Sequence, residues 1–195
     1  MRTLVAASHA RVKDYAFEQW SAATASYHRL LAIEESEREY AESLGVPYVP
    51  FSPEENPRRQ GRHRICGPLF NQAWTAILSA AGGYTHILSL DTDVIPPCDI
   101  LALMEPLYDD TFDFLRHGVP WRTAYHRPGA FAYETSCTLG SIAAWQAALD
   151  ETYRRGELAT LYGVVGDPDL FTHRDINLVQ LTHLDDTEAT TEGLS

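Results

Sequence analysis

The chain has 195 residues, 45% hydrophobic and 11% aromatic, which suits one globular domain with one substantial core. Its 15 basic and 27 acidic side chains give a formal charge of −12, which disfavours general affinity for nucleic-acid backbones or anionic membranes but leaves room for a local basic groove. Cys66, Cys98 and Cys137 stand far apart without CxxC spacing, so neither a zinc knuckle nor a disulfide framework is expected, and a reducing, cytoplasmic setting is the simplest reading.

The apolar run at residues 4–7 is too short for a signal peptide, and no stretch approaches the roughly 20 apolar residues of a membrane span. Residues 2–8 read as a first strand, and 14–24 as a helix carrying Tyr15, Phe17 and Trp20. A second strand over 27–33 runs into Glu34-Glu35-Ser36, a helix spans 37–44 until Gly45 ends it, and 46–51 form a short third strand. Glu34 and Glu35 can accept hydrogen bonds from ribose hydroxyls or a base, although glutamates opening a helix are also favoured by its dipole. Residues 52–61 are polar and proline-bearing, hence a loop. Arg58, Arg59, Arg62, His63 and Arg64 follow, just before a helix over 68–80. Such a cluster is either a solvated basic face or, at Arg62 and Arg64, a set of guanidinium donors for phosphate.

The stretch that organises the chain is Tyr84-Thr85-His86-Ile87-Leu88-Ser89-Leu90-Asp91-Thr92-Asp93-Val94-Ile95-Pro96-Pro97. Its apolar, β-prone first half, bounded by Gly82-Gly83 and the two prolines, predicts a buried strand that stops abruptly in a loop. In open α/β sheets ligands bind beyond the carboxyl ends of strands, so Asp91 and Asp93 fall where a site is expected. Alternation along an extended backbone points both side chains the same way. Adjacent carboxylates repel unless a cation lies between them, and Mg²⁺ or Mn²⁺ is held by one or two carboxylates plus substrate phosphates. A calcium loop of the EF-hand type fits poorly, since Ile95 stands where an oxygen ligand belongs and Pro96 where Gly is needed.

Beyond this stretch, 99–108 predict a helix with Asp99 near its start, and 112–116 and 121–125 predict strands. An extended segment over 129–139 leads through Gly140-Ser141 into a helix over 142–153, where Trp145 is a core residue or an acceptor platform. Gly163-Val164-Val165 read as strand-like ahead of Gly166-Asp167-Pro168-Asp169-Leu170. Asp167 there can cap a helix with Pro168 at its first position, or serve as a carboxylate that takes a proton from an attacking hydroxyl. A last strand over 177–184 ends near His183, with His173 shortly before it. Residues 185–195 form a polar, acidic, frayed tail, leaving 1–184 as the domain.

The apolar run ending in Asp91-Thr92-Asp93 and prolines resembles the DXD motif of GT-A glycosyltransferases, particularly the family-2-like group. The series Arg64-Ile65, Asn71, Ala73 and Ala76 resembles the Arg-to-Asn segment that precedes the DXD strand in that group, with departures at Gly67-Pro68 and Phe70. The segment 166–170 resembles its Glu-Asp-X-Asp-Leu segment, with Gly166 in place of Glu.

The resemblance implies one α/β domain with a GT-A-like fold, a mostly parallel mixed sheet flanked by helices. It implies metal-dependent, inverting transfer of a sugar from a nucleoside diphosphate to a hydroxyl acceptor. Asp91, Asp93 and His183 would hold Mn²⁺ or Mg²⁺. Glu34, Glu35, Arg62, Arg64, Asn71, Asp91 and Thr92 would contact the nucleotide sugar, and Asp167 would be the general base. Two other readings stay open. A metal-dependent nucleotidyltransferase would ordinarily want a Gly-rich phosphate loop near the first strand, which Ser8-His9-Ala10-Arg11 is not. A noncatalytic nucleotide-sugar binding module would keep the metal site and dispense with Asp167.

Overall fold

A computed structural model describes residues 1–9, 14–51, 68–120, 131–133, 135–156 and 159–184. The chain runs β1 (Thr3–His9), α1 (Asp14–Ala23), β2 (Arg29–Glu34), a 3₁₀ turn (Glu35–Glu37), α2 (Arg38–Ser43), β3 (Tyr48–Phe51), α3 (Pro68–Ala80) and β4 (His86–Leu90). It continues through β5 (Val94–Ile95), α4 (Ile100–Met104), a second 3₁₀ turn (Glu105–Leu107), β6 (Phe114–His117), β7 (Val119–Pro120) and β8 (Phe131–Ala132). The last described elements are β9 (Cys137–Ser141), α5 (Ile142–Arg155), α6 (Leu161–Val165), β10 (His173–Ile176) and β11 (Thr182–His183).

Seven strands form one mixed sheet in the order β10-β6-β9-β4-β1-β2-β3. The pairs β1–β2, β1–β4, β2–β3 and β6–β10 are parallel, while β9 runs antiparallel to both β4 and β6. The expected α/β domain with a mostly parallel mixed sheet is therefore the observed one. The carboxyl ends of β1, β2, β3, β4, β6 and β10 all lie along one edge, joined there by the start of β9.

Period-2 alternation divides the strand side chains between two cores. Val5, Ala7, Leu31, Ile33, Leu88, Leu90, Leu115 and Leu139 face α1, α2 and α4, meeting Phe17, Trp20, Ala41, Ile100 and Met104. Leu4, Ala6, Ala32, Ile87 and Phe114 face α3, α5 and α6, meeting Trp74, Ile77, Trp145, Leu149, Leu161 and Val165. Small residues at Ala6, Ala32, Ser89 and Gly140 leave the second face room for bulk from the helices. Trp74 and Trp145 stack there with ring centroids 4.3 Å apart and planes 13° from parallel. Trp145 is thus a core residue with no exposed surface, not a platform for an acceptor.

β4 is gripped from both faces. The Trp20 indole N–H donates to the Leu90 carbonyl at 3.0 Å, and the Trp145 indole N–H donates to the Ile87 carbonyl at 3.1 Å. A buried tryptophan needs such a partner for its one donor, and here the requirement fixes the strand that carries the two aspartates.

Most helix and strand boundaries follow the sequence expectations closely, with several departures, among them the short strands β5 and β7, which were not expected. Residues 161–165 are helical, not strand-like: Leu161, Val164 and Val165 recur with helical spacing and all are buried, and the Thr160 side chain caps the helix by accepting from Gly163 N–H. The strand expected over 177–184 shrinks to β11, and the outermost strand of the sheet is β10, which the sequence reading did not assign. Gly140 and Ser141 belong to β9 itself, with Ser141 capping α5 by accepting from Ala144 N–H. The strand expected over 121–125 and the tail at 185–195 lie outside the described residues.

Candidate active site at the carboxyl edge of the sheet

Asp91 follows the last residue of β4, and its N–H donates to the Ser136 carbonyl at 2.9 Å, the final rung before β4 and β9 diverge. Val94 N–H then donates back to the Asp91 carbonyl at 2.9 Å, so residues 91–94 form a turn where an extended backbone was expected. Thr92 is buried at 3% exposure, and its side chain points into the protein. Asp91 and Asp93 flank it and both keep part of their surface in solvent.

The turn is pinned from the far end of the chain. β5 pairs antiparallel with β11, which sets His183 opposite Val94, and Leu184 N–H donates to the Asp93 carbonyl at 2.8 Å. The His183 Nε2 lies 3.2 Å from Asp93 Oδ2. His183 is thereby the late histidine that reaches the aspartates. His173 sits at the amino end of β10, its Nε2 2.5 Å from the Val165 carbonyl and its ring stacked on Phe114.

The segment before β11 is held by His117, which is fully buried at the carboxyl end of β6. Its Nε2 accepts from Leu178 N–H at 3.2 Å and from Val179 N–H at 3.4 Å, which leaves Nδ1–H to donate to the Gly118 carbonyl at 2.9 Å. Two accepted bonds at Nε2 require the neutral ring, and burial favours the same form by pushing the imidazole below its ordinary range.

A third element enters at Asp91. The Tyr162 hydroxyl, carried by α6, lies 2.9 Å from Asp91 Oδ1 and 3.1 Å from Oδ2. α6 is seated by Asn71 of α3, which is 5% exposed. Asn71 Nδ2 donates to the Ala159 carbonyl at 3.1 Å, and Leu161 N–H donates to Asn71 Oδ1 at 3.2 Å. Both polar atoms of this side chain, expected to line a nucleotide pocket, bond the backbone at the start of α6. Burial and the neighbouring Asp93 push the Asp91 carboxyl up to about 7, against the opposing effects of the Tyr162 hydroxyl, His183 and the Ser136 hydroxyl.

The remaining expected residues are distributed as follows. Glu34 ends β2 on the same sheet edge as Asp91, two strands away across β1. Glu35 is exposed and pairs with Arg38 within one turn. Asp167 follows α6 directly: its Oδ1 accepts from Asp169 N–H at 3.0 Å, closing a local turn, and its Oδ2 accepts from Arg155 Nη1 at 3.2 Å. Asp169 is exposed. Arg62 and Arg64 lie outside the described residues.

Tyr162 is the residue that sequence reasoning missed, because reading 163–165 as a strand removed the helix that aims it at Asp91. Among the described residues, no three His, Cys, Asp or Glu side chains converge as a ready-made metal cage. Asp91 and Asp93 are one carboxylate pair with one imidazole beside it, a donor set that suits a hard cation arriving with phosphate oxygens of its own. A separate cavity of about 450 Å³, lined by Leu4, Tyr27, His28, Arg29, Pro47 and Tyr84 among others, opens at the opposite edge of the sheet and takes no part in this arrangement.

No protein-family model matches the sequence, and no curated protein is similar to it. Solved structures do match in fold. The 4-diphosphocytidyl-2C-methyl-D-erythritol synthase of Anaerococcus prevotii superposes with a TM-score of 0.63 over 97% of this chain and 95% of its own, at 9% identity. The 2-C-methyl-D-erythritol 4-phosphate cytidylyltransferase of Thermus thermophilus gives 0.59 over 98% and 96%, at 14% identity. A Desulfovibrio desulfuricans protein described as a nucleotide-diphospho-sugar transferase gives 0.50 over 90% and 80%, at 11% identity. The strand order, with β9 antiparallel within the seven-stranded sheet, and these superpositions show a fold of the nucleotide-diphospho-sugar transferase type, GT-A-like in architecture.

Proposed function

We propose that the chain is a transferase acting on a nucleoside diphosphate sugar, moving the sugar to a hydroxyl acceptor at the carboxyl edge of the sheet. The observation that carries this reading is the Asp91/Asp93 pair: two carboxylates on one turn at the end of the central strand β4, with Asp91 raised to about 7 by burial and by the charge of Asp93. The pair, with His183 beside Asp93, has the hard oxygen and imidazole donors that suit Mn²⁺ or Mg²⁺. When bound, such an ion offsets the charge that develops on a leaving diphosphate.

The chain's own residues do the rest. The β4 backbone, gripped by Trp20 and Trp145, holds the aspartate turn rigidly, and β11 keeps His183 against Asp93. Glu34, at the same sheet edge, is the proposed acceptor for ribose hydroxyls or a base, with Thr92 buried within the aspartate turn and Arg62 and Arg64 as candidate phosphate donors. Asp167 is the proposed general base, accepting the proton of the acceptor hydroxyl as that oxygen attacks the anomeric carbon. Its bonds to Arg155 and Asp169 N–H fix the carboxylate in one orientation, which a base needs as much as proximity.

Nucleotidyl transfer is the second reading, supported by the two cytidylyltransferase-type neighbours with TM-scores of 0.63 and 0.59. In that chemistry the same carboxylates would assist displacement of pyrophosphate from a nucleoside triphosphate by a sugar phosphate.

One experiment separates the two. Thermal unfolding is followed with UDP-, GDP-, CDP- and dTDP-sugars and with the corresponding triphosphates, each with and without Mn²⁺, for the parent and for Asp91→Asn and Asp93→Asn. Cation-dependent stabilisation by a diphosphate sugar, lost in both variants, is the expected outcome. Stabilisation by a triphosphate alone favours nucleotidyl transfer, and stabilisation that both variants retain removes the carboxylate pair from the site. With an acceptor in hand, Asp167→Asn is expected to lower turnover roughly 10²-fold or more at nearly unchanged donor affinity.

A further inference from the structure

The Tyr162 hydroxyl stands at 2.9 and 3.1 Å from the two oxygens of one carboxylate, so it bridges the edge of Asp91 by which a carboxylate chelates a cation. A single O–H proton cannot be directed fully at both oxygens, and a metal ion takes the same lone pairs. Hydroxyl and cation therefore compete for one edge of Asp91.

The backbone beneath this hydroxyl is fixed. Asn71 holds the Ala159 carbonyl and the Leu161 N–H, Gly166 N–H donates to the Tyr162 carbonyl at 3.0 Å, and Leu161, Val164 and Val165 are buried. The side chain is only partly buried, and Gly163 beside it is exposed. Displacing the hydroxyl from Asp91 therefore asks for movement of the side chain, while α6 stays seated. Resting on the cation reading above, we propose that Tyr162 is a latch on the aspartate pair: its hydroxyl occupies the chelating edge of Asp91, a cation must displace it, and the residue sets the affinity and selectivity of the site for cations.

The alternative role for the same contact is orientation, in which the hydroxyl stays on Asp91 while the cation binds elsewhere on the carboxylate. The two roles predict opposite signs. A hydrogen bond to a charged group contributes enough that removing a competing one should tighten the cation by about tenfold, whereas removing an orienting one should weaken it.

The test is direct Mn²⁺ binding to the full chain, read from the free-ion paramagnetic resonance signal, for the parent, Tyr162→Phe and, as a control, Tyr153→Phe. Tyr153 is 51% exposed on α5, and its hydroxyl lies 2.8 Å from that of Thr75, away from the aspartates. Tyr162→Phe is expected to bind Mn²⁺ about tenfold more tightly and Tyr153→Phe as the parent does. Unchanged or weaker binding in Tyr162→Phe overturns the latch while leaving the cation reading intact. Absence of Mn²⁺ binding in all three proteins, with UDP present or absent, removes the cation reading and the latch together. A second measurement uses the parent alone: near-ultraviolet difference absorbance on adding Mn²⁺ should show the blue shift of a phenol losing an anionic acceptor, and a flat difference spectrum overturns the latch even if Tyr162→Phe fails to fold.

Discussion

At the scale of single residues the site is built from groups that would be cheaper apart. The Asp91 carboxyl, ordinarily near 3.8, is raised to about 7, so the folded protein binds this proton more tightly than the unfolded chain does. The sign follows from that. The cost is absent below about pH 4, where both states are protonated, grows as pH rises through the interval up to about 7, and is complete above it. Asp91→Asn removes the charge, so it should raise Tm relative to the parent at pH 8 and change it little at pH 4. An equal difference at both values would mean that the carboxylate is ionised without penalty. Stabilisation on removing a functional group is the usual mark of a site held against its own preference. The place of the two aspartates at a strand end was legible in the sequence because the apolar, β-prone run that forms β4 stops at them. Tyr162 was not, since nothing in a lone tyrosine announces which carboxylate a short helix will aim it at.

Elements show where reading by pattern succeeds and where it fails. α3 spans Pro68–Ala80 as expected because its apolar residues repeat with helical period over thirteen residues. α6 was misread because Val164 and Val165 are β-branched and follow a glycine, a strand-like local signal that burial of Leu161, Val164 and Val165 on one face overrides. β10 was missed for a different reason. As the outermost strand it reads His173-Arg174-Asp175-Ile176, with only Ile176 buried, so the alternation that marks inner strands is missing. Gly140 supplies a test of element packing. A Cβ there would fall 2.6 and 2.7 Å from the ring of Phe114, its register partner across β6 and β9, and 3.2 Å from the Asp113 carbonyl. Phe114 cannot retreat easily, being in ring contact with Trp145 and Phe171. Gly140→Ala should therefore cost about 1–3 kcal/mol, several degrees of Tm, in a chemical unfolding curve with unchanged slope.

For the molecule as a whole, the topology gathers chemistry at one edge of the sheet. Six parallel strands deliver their carboxyl ends there, and one antiparallel strand, β9, brings Ser136 to Asp91. The strand–helix alternation of the first ninety or so residues made that arrangement legible, while the second half, with its antiparallel strand and short β5–β11 pair, depends on contacts between segments far apart in sequence. Two arms support the aspartates independently. Asn71 and α6 reach Asp91 from one side, and His117 with the segment to β11 reaches Asp93 from the other.

The parallel indoles of Trp74 and Trp145 also make the protein its own optical gauge. Two identical chromophores 4.3 Å apart and 13° from parallel couple their excited states, and a coupled pair in a chiral setting yields a two-signed band in far-ultraviolet circular dichroism. That band belongs to the union of α3 and α5 over the sheet, whereas the helical signal belongs to every helix at once. On heating, coincident loss of the two signals is the expected outcome for cooperative unfolding of a single core, and Trp74→Phe should abolish the two-signed band alone. If the band fades before the helical signal, the helices that seat Asn71 and α6 part from the sheet first, and the gauge then reads the loosening of one wall of the site while the other still stands.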